Sequence, residues 1–162
     1  MTEPNTVEWG PPLWRIFHGL VEKTGRVTLK RQQAEEARLL NTFLMSLRKS
    51  LPCIHCRKHY NDYLLANPFS AILTKIGEER QAKLREWFYI FHNNINTRTG
   101  KIYEKPLEEL PSIYGSYSAI DFVTDKSILL DNMRRALQQR FITRDDLQKS
   151  IRSLEELWLV IV

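Results

Sequence analysis

Apolar residues in this chain recur three and four positions apart in segment after segment, and no stretch alternates apolar and polar residues long enough to make a strand. A helix gathers such residues onto one stripe, and the stripes must then be buried against one another. In the first segment Leu13, Phe17, Leu20 and Val21 form a stripe, and Pro11 and Pro12 suit a first turn, where a missing N–H costs nothing. Gly25 should end this helix just after Lys23. Leu40, Phe43, Leu44, Leu47 and Leu51 predict a second helix from about Leu29 to Ser50, broken by Pro52. A third, short helix should start at the cysteine pair, carry Tyr60, Tyr63 and Leu64 inward and close at Asn67 and Pro68. A fourth is expected from Ser70 to Asn96, burying Ile72, Ile76, Leu84, Trp87, Phe88, Phe91 and Ile95, with Gly77 placed to split off its first turns. Thr97 to Pro111 reads as polar loop and as the best boundary. Beyond it, Asp125–Arg140 and Thr143–Leu159 read as two amphipathic helices, with stripes through Leu129, Met133 and Leu137 and through Leu147, Ile151, Leu154 and Trp158. Thr143 and Asp146 resemble a capping box. The expected fold is all-α, a bundle of four helices over residues 1–108 followed by a C-terminal helical extension over 109–162.

The chain has 162 residues, suited to one domain with an appendage, and its 43% hydrophobic content can supply a core. Residues 106–162 carry a net charge of −2, so the +5 of the whole chain leaves +7 on residues 1–105. A basic surface of this kind could serve nucleic acid, a phosphate-bearing cofactor or an acidic partner. The basic residues are scattered and no nucleic-acid recognition motif is visible, so nucleic acid is not expected as a partner. No run reaches the roughly eighteen apolar residues of a membrane helix, and the first residues do not pair a positive region with an apolar one. The expected compartment is the cytoplasm, with no membrane partner.

The two cysteines stand as Cys53-Ile54-His55-Cys56. In a chain without secretory features this spacing points to redox chemistry or metal binding rather than to a structural staple. At i and i+3 in the first turn of a helix the two lie on one face, within the roughly 4.4–6.8 Å between Cα atoms that a disulfide needs. The helix N-terminus favours negative charge, and Arg57, Lys58 and any protonated histidine should add to that, so a thiolate here is stabilised and reactive. Zinc is the competing reading. It would recruit Cys53, Cys56 and two of His18, His55, His59 and His92, and would make the chain a zinc-binding helical adaptor without enzymatic activity. Zinc sites usually take their ligands as two spaced pairs, and the second pair is missing. Two buried, inert thiols are the third reading.

Two other clusters stand out. Trp9-Gly10 precedes Trp14 and His18, which lie four apart on one helix face. Trp87 precedes His92-Asn93-Asn94-Ile95-Asn96, where His92 and Asn96 share a face with Asn93 beside them. Such aromatic and amide side chains could cradle a planar, hydrogen-bonding ligand; singly, each is as well explained as core aromatics and a polar helix end. Arg98, Lys101 and Lys105 follow, either as a solvated loop or as a clamp for phosphates.

Taken in order, these pieces resemble the Erv/ALR family of FAD-linked sulfhydryl oxidases over roughly residues 7–105. Trp9-Gly10-Pro11-Pro12-Leu13-Trp14 with His18 is similar to the family's W-G-x-x-x-W-x-x-x-H opening. Cys53-Ile54-His55-Cys56-Arg57-Lys58-His59-Tyr60 is similar to C-x-x-C-R-x-H-[FY], and Trp87–Asn96 to W-x-x-x-x-H-N-x-[VI]-N. The resemblance implies a four-helix bundle with a short additional helix, binding FAD and forming a homodimer. It implies that Trp14 and His18 contact the FAD with Gly10 allowing close approach, that Tyr60 lines the flavin pocket, that His92, Asn93 and Asn96 hold the adenine and ribose end, and that Lys101, with Arg98 or Lys105 as a companion, meets the pyrophosphate. Cys53 and Cys56 would be the catalytic pair. A substrate dithiol would attack Cys53, the more exposed position, and release Cys56 as a thiolate beside the flavin, with O2 as final acceptor giving hydrogen peroxide. The second cysteine pair that many members use as a shuttle is absent, as is the disulfide that fastens their last helix. Electrons would therefore come directly from a thiol-bearing protein substrate or from a separate thioredoxin-like redox partner. Minimal versions of this kind are common in large DNA viruses, which implies a viral-type enzyme of the host cytoplasm or the virion.

Overall fold

Eight α-helices, one 3-10 turn and no strand make up the described residues, 2–102 and 105–162, of this computed structural model. In chain order the helices are α1 (Thr6–Val21), α2 (Lys30–Ser50), α3 (Ile54–Ala66), α4 (Ser70–Leu73), α5 (Gly77–Arg98), α6 (Leu110–Tyr114), α7 (Ala119–Gln138) and α8 (Arg144–Ile161); the 3-10 turn Leu107–Glu109 precedes α6. The all-α expectation holds. Among the described residues no helix is long and apolar enough to cross a membrane.

Helix α1 begins earlier than the proline rule suggested. Asn5 caps it by accepting a hydrogen bond from the Val7 N–H, and Pro11 and Pro12 sit inside the helix. The split at Gly77 is real, and Gly77 holds φ +59 there. Ile76, expected inward, is 55% exposed because it is the N-cap of the new helix and falls on the corner. The corner is pinned by close backbone approach, since a Cβ on Gly25 would meet the Gly77 carbonyl oxygen at 2.2 Å. Beneath it the buried Arg80 guanidinium pairs with Glu36 at 3.1 Å, and Glu36 also accepts from the Gly25 N–H. The stretch expected to be loop from Thr97 to Pro111 holds the end of α5, the 3-10 turn and the start of α6, with residues 103–104 outside the described set.

The helices beyond residue 109 lie along the bundle. The most extensive packing in the molecule is α2 against α8, followed by α1 against α7. One apolar cluster runs from Ile16, Phe17, Phe43 and Phe88 through to Leu129, Met133, Leu154 and Leu157. Ser46, Ser50 and Ser150 join across the α2–α8 contact by hydroxyl hydrogen bonds of 2.6 and 2.7 Å, so the small polar residues there are satisfied inside the core. A capping box of Ser118 and Asp121 opens α7, and Thr143 caps α8 by accepting from the Asp146 N–H.

Candidate functional site

Helices α1, α3, α5, α6 and α7 enclose a cleft of about 1050 Å3. That is at the upper end of the roughly 300–1,000 Å3 of ordinary ligand pockets. Gly10, Trp14, Cys56, Tyr60, His92, Asn96 and Lys101 all line it. The first, second and third sequence clusters, spread over 90 residues of chain, thus meet around one space.

At its centre the Trp14 indole stacks on the His92 imidazole, with ring centroids 3.9 Å apart and planes 5° from parallel. Behind His92 lies His18, 2% exposed, with its Nε2 3.1 Å from His92 Nδ1. One ring donates and the other accepts, so the pair is held in matching tautomers. Burial, with His92 close by, pushes the His18 pKa down to about 3; burial, with Lys101 close by, pushes His92 down to about 4. Both imidazoles are therefore neutral at neutral pH. The ring of Tyr60 reaches the cleft, but its hydroxyl donates to the Leu44 carbonyl at 2.6 Å, and burial raises its pKa. Tyr60 thereby ties α3 to α2.

The cationic end of the cleft is shaped by the end of α5. Gly100 holds φ +74, the Lys101 N–H donates to the Asn96 carbonyl at 2.8 Å, and the Gly100 N–H donates to Thr97. This is a Schellman turn, which a glycine permits because it lacks the Cβ that strains a left-handed conformation. It pins Lys101 one turn from Asn96, and Arg98 lines the same end.

Cys53 and Cys56 are joined as a disulfide with Cα atoms 5.1 Å apart. Cys53 is the N-cap of α3, and its Sγ accepts from the Cys56 N–H at 3.1 Å, which places sulfur at the positive end of the helix. The exposure order is the reverse of that expected. Cys53 is 7% exposed, whereas Cys56 is half-buried and faces the cleft. Glu3 of the N-terminal segment accepts from the Ile54 N–H at 3.0 Å and so lies beside the turn that holds Cys53. Arg57 and Lys58 also differ from expectation. Arg57 donates to the Lys49 carbonyl and Lys58 pairs with Asp62, both turned to a neighbouring groove, and it is His55 and His59 that share the cleft with Cys56. Burial, with Arg98 nearby, lowers the His59 pKa.

His18, Asn93 and Cys53, all expected at the site, are not among the residues that line the cleft. The motifs do not account for the whole cleft wall, which also includes Arg15 on α1 and Tyr114, Tyr117 and Asp125 from the segment beyond residue 109. Tyr114 stacks on His18 at 4.8 Å. Asp125, 3% exposed, is held by Arg15 at 2.8 Å and by the Tyr117 hydroxyl at 2.9 Å. Burial and the hydrogen bond to Asp125 raise the Tyr117 pKa. The one sequence signal for this wall was the pair of tyrosines around Gly115 and Ser116, in a stretch without helical period.

Among the described residues no group of three or more His, Cys, Asp or Glu side chains is gathered as a metal would require. The zinc reading therefore lacks a ligand set there. The donors that do converge suit a planar aromatic group with a phosphate-bearing arm: stacked rings, a buried amide, and cations at one end. A Cβ added to Gly10 would meet no atom within 4 Å, so the cleft wall there leaves room for a close-lying group.

The model of the Erv1/Alr family matches residues 11–109. The chain belongs to this family. Among curated proteins, the FAD-linked sulfhydryl oxidase of African swine fever virus (isolate Warthog/Namibia/Wart80/1980) is 32% identical over 95 residues, covering 59% of this chain and 71% of the viral protein. The FAD-linked sulfhydryl oxidase ERV1 of Oryza sativa subsp. japonica is 30% identical over 94 residues, covering 58% of this chain and 43% of the plant protein. No solved structure gives a significant match. The family match ends at residue 109, just before the segment that supplies Tyr114, Tyr117 and Asp125.

Proposed function

We propose that this chain is an FAD-dependent sulfhydryl oxidase that converts dithiols to disulfides through Cys53 and Cys56. The observation that carries the reading is the position of Cys56 on the wall of the cleft that also gathers Trp14, His92 and Asn96. Family membership and the printed activity of the relatives support it.

Gly10, Trp14, Tyr60, His92 and Asn96 would hold the cofactor's ring systems, with His18 and Asn93 supporting them from behind and Lys101 meeting its phosphates. Bound FAD would supply a two-electron acceptor for the cysteine pair, with O2 as the final acceptor and hydrogen peroxide as its product. The chain's own steps are thiol–disulfide exchange. A substrate thiolate bonds to Cys53 Sγ, the Cys53–Cys56 bond breaks, and its electron pair leaves on Cys56 Sγ at the cleft wall. The second substrate thiol then attacks the mixed disulfide, freeing the oxidised substrate and leaving Cys53 reduced; the two thiol protons pass to solvent. Cys53 remains the site of attack despite its burial, because Cys56 faces the space the cofactor would fill. Access to Cys53 then requires displacement of the segment around Glu3. The positive end of α3 favours both thiolates, and the Cys56 N–H already donates to Cys53 Sγ.

The same proposal includes a thiol-bearing protein or a thioredoxin-like protein as electron source, and residues 1–108 and 109–162 as its catalytic and accessory segments. It includes a homodimer whose interface lies off the faces of α1 and α2 that α7 and α8 cover. It also includes a viral-type, cytoplasmic or virion role. Cys56→Ser tests the catalytic claim. The variant is expected to keep bound flavin and to lose its anaerobic reduction by dithiothreitol; wild-type turnover in that variant would refute the roles given to the cysteines.

A further inference from the structure

Next to the cysteine turn, on the side away from the cofactor cleft, lies an open groove of about 780 Å3 between the end of α2, the first turns of α3 and the α7–α8 turn. Arg48, Lys49, Arg57, Lys58 and Arg140 line it against only two carboxylates, Asp62 and Asp146, a net of +3. Its two lining residues nearest the cysteines are Ile54, which follows Cys53, and Arg57, which follows Cys56. Ile54 is 53% exposed, and with Phe141 it gives the groove apolar surface between the cations.

We propose that this groove docks an acidic, extended segment of the protein whose dithiol is oxidised, so that its thiols are delivered to Cys53. The identity of the occupant as a substrate rests on the oxidase reading; the preference of the groove for an acidic peptide does not. Three observations converge on it. Among the described residues one ion pair falls inside the groove, Lys58 with Asp62; Arg48 donates to the Asn61 amide oxygen at 2.7 Å, and Lys49 and Arg140 are exposed. Arg57 is fixed in place by its bond to the Lys49 carbonyl, so its charge is already oriented along the rim. A carboxylate of this chain, that of Glu3, takes the Ile54 N–H beside the groove and lies close enough to act on the Arg57 charge. Asp62 and Asp146 interrupt the row of cations, and the exposed Ile54 sits among them. A continuous phosphate backbone would meet repulsion there, whereas a peptide can place apolar side chains on Ile54 and Phe141 and carboxylates beside the cations.

Binding is measured by fluorescence anisotropy on the FAD-loaded full chain. The probes are an Asp/Glu-rich peptide with serines in place of its two cysteines, a Gly/Ser/Gln peptide of equal length and a single-stranded RNA. The acidic peptide should bind at least roughly tenfold tighter than the neutral one at low salt, and lose that advantage as the screening length shrinks to about 3 Å at 1 M salt. The double variant K49E/R140E should lose the preference while keeping wild-type turnover of dithiothreitol. With cysteines restored, the acidic peptide should have the lower KM in wild type only, with kcat unchanged. Equal affinity for acidic and neutral peptides, or a preference for RNA over the acidic peptide, would overturn the proposal. A wild-type protein that binds the acidic peptide selectively but never oxidises dithiothreitol would leave the groove standing and remove the oxidase reading instead.

Discussion

At the scale of single residues, the site depends on two neutral imidazoles. Trp14 and His92 stack face to face, and His18 backs His92 through a hydrogen bond. His92→Ala removes the stacking partner and leaves a His18 nitrogen without its partner. A loss of about 1.5 kcal/mol, near the top of what such ring pairs contribute, corresponds to roughly tenfold weaker FAD binding. Flavin fluorescence titration of the variant measures this, and unchanged affinity would show that His92 is not in contact with the cofactor. The same pair makes stability depend on pH. Unfolded histidines titrate near a pKa of about 6.5, while the folded values fall to about 3 for His18 and about 4 for His92. Between these values the unfolded chain binds more protons, so the contribution is complete above the unfolded pKa and is lost as pH falls toward the folded ones. The urea midpoint should fall steadily from pH 7 to pH 4, and H92N should shrink the fall; an equal fall in both proteins would contradict the assignment.

At the scale of elements, the join between α1 and the segment before α7 is the tightest part of the site. A Cβ on Gly19 would come within 2.3 Å of the Tyr117 ring, so only glycine lets that ring lie against α1 and reach Asp125 with its hydroxyl. Gly19→Ala should therefore destabilise the protein by about 1–3 kcal/mol, the usual cost of overpacking, and should loosen the cofactor wall. Thermal unfolding with and without added FAD tests both effects; an unchanged transition would mean that the contact yields freely. The helices themselves were legible in the sequence because their stripes are long and periodic. Leu40, Phe43, Leu44 and Leu47 are all buried, as their spacing requires. Element ends were less legible. Pro11 and Pro12 suggested a start, but Asn5, a better cap, lies upstream, and Ile76 kept the helical period yet fell on a corner made by Gly25 and Gly77. The cleft wall was legible only where it followed a motif. Arg15, Tyr117 and Asp125 meet across 110 residues of chain, and nothing local in the sequence marks a partner so far away.

At the scale of the whole molecule, the segment beyond residue 109 is structural support and site at once. Its helices α7 and α8 cover α1 and α2, and its first residues line the cleft. The buried Asp125, held by Arg15 and Tyr117, links that segment to the helix that carries Trp14 and His18. Part of the basic excess of residues 1–105 lies in the cleft, as Arg15, Arg98 and Lys101, and part in the groove beside α3, as Arg48, Lys49, Arg57 and Lys58. The central claim is that this cleft holds a flavin within electron-transfer reach of Cys56. The visible absorption spectrum of the freshly purified full chain tests it most directly. A bound flavin band is expected that bleaches on anaerobic addition of dithiothreitol and returns when oxygen is admitted. A colourless protein that cannot be reconstituted with FAD, or a bound flavin that dithiothreitol leaves oxidised, would contradict it.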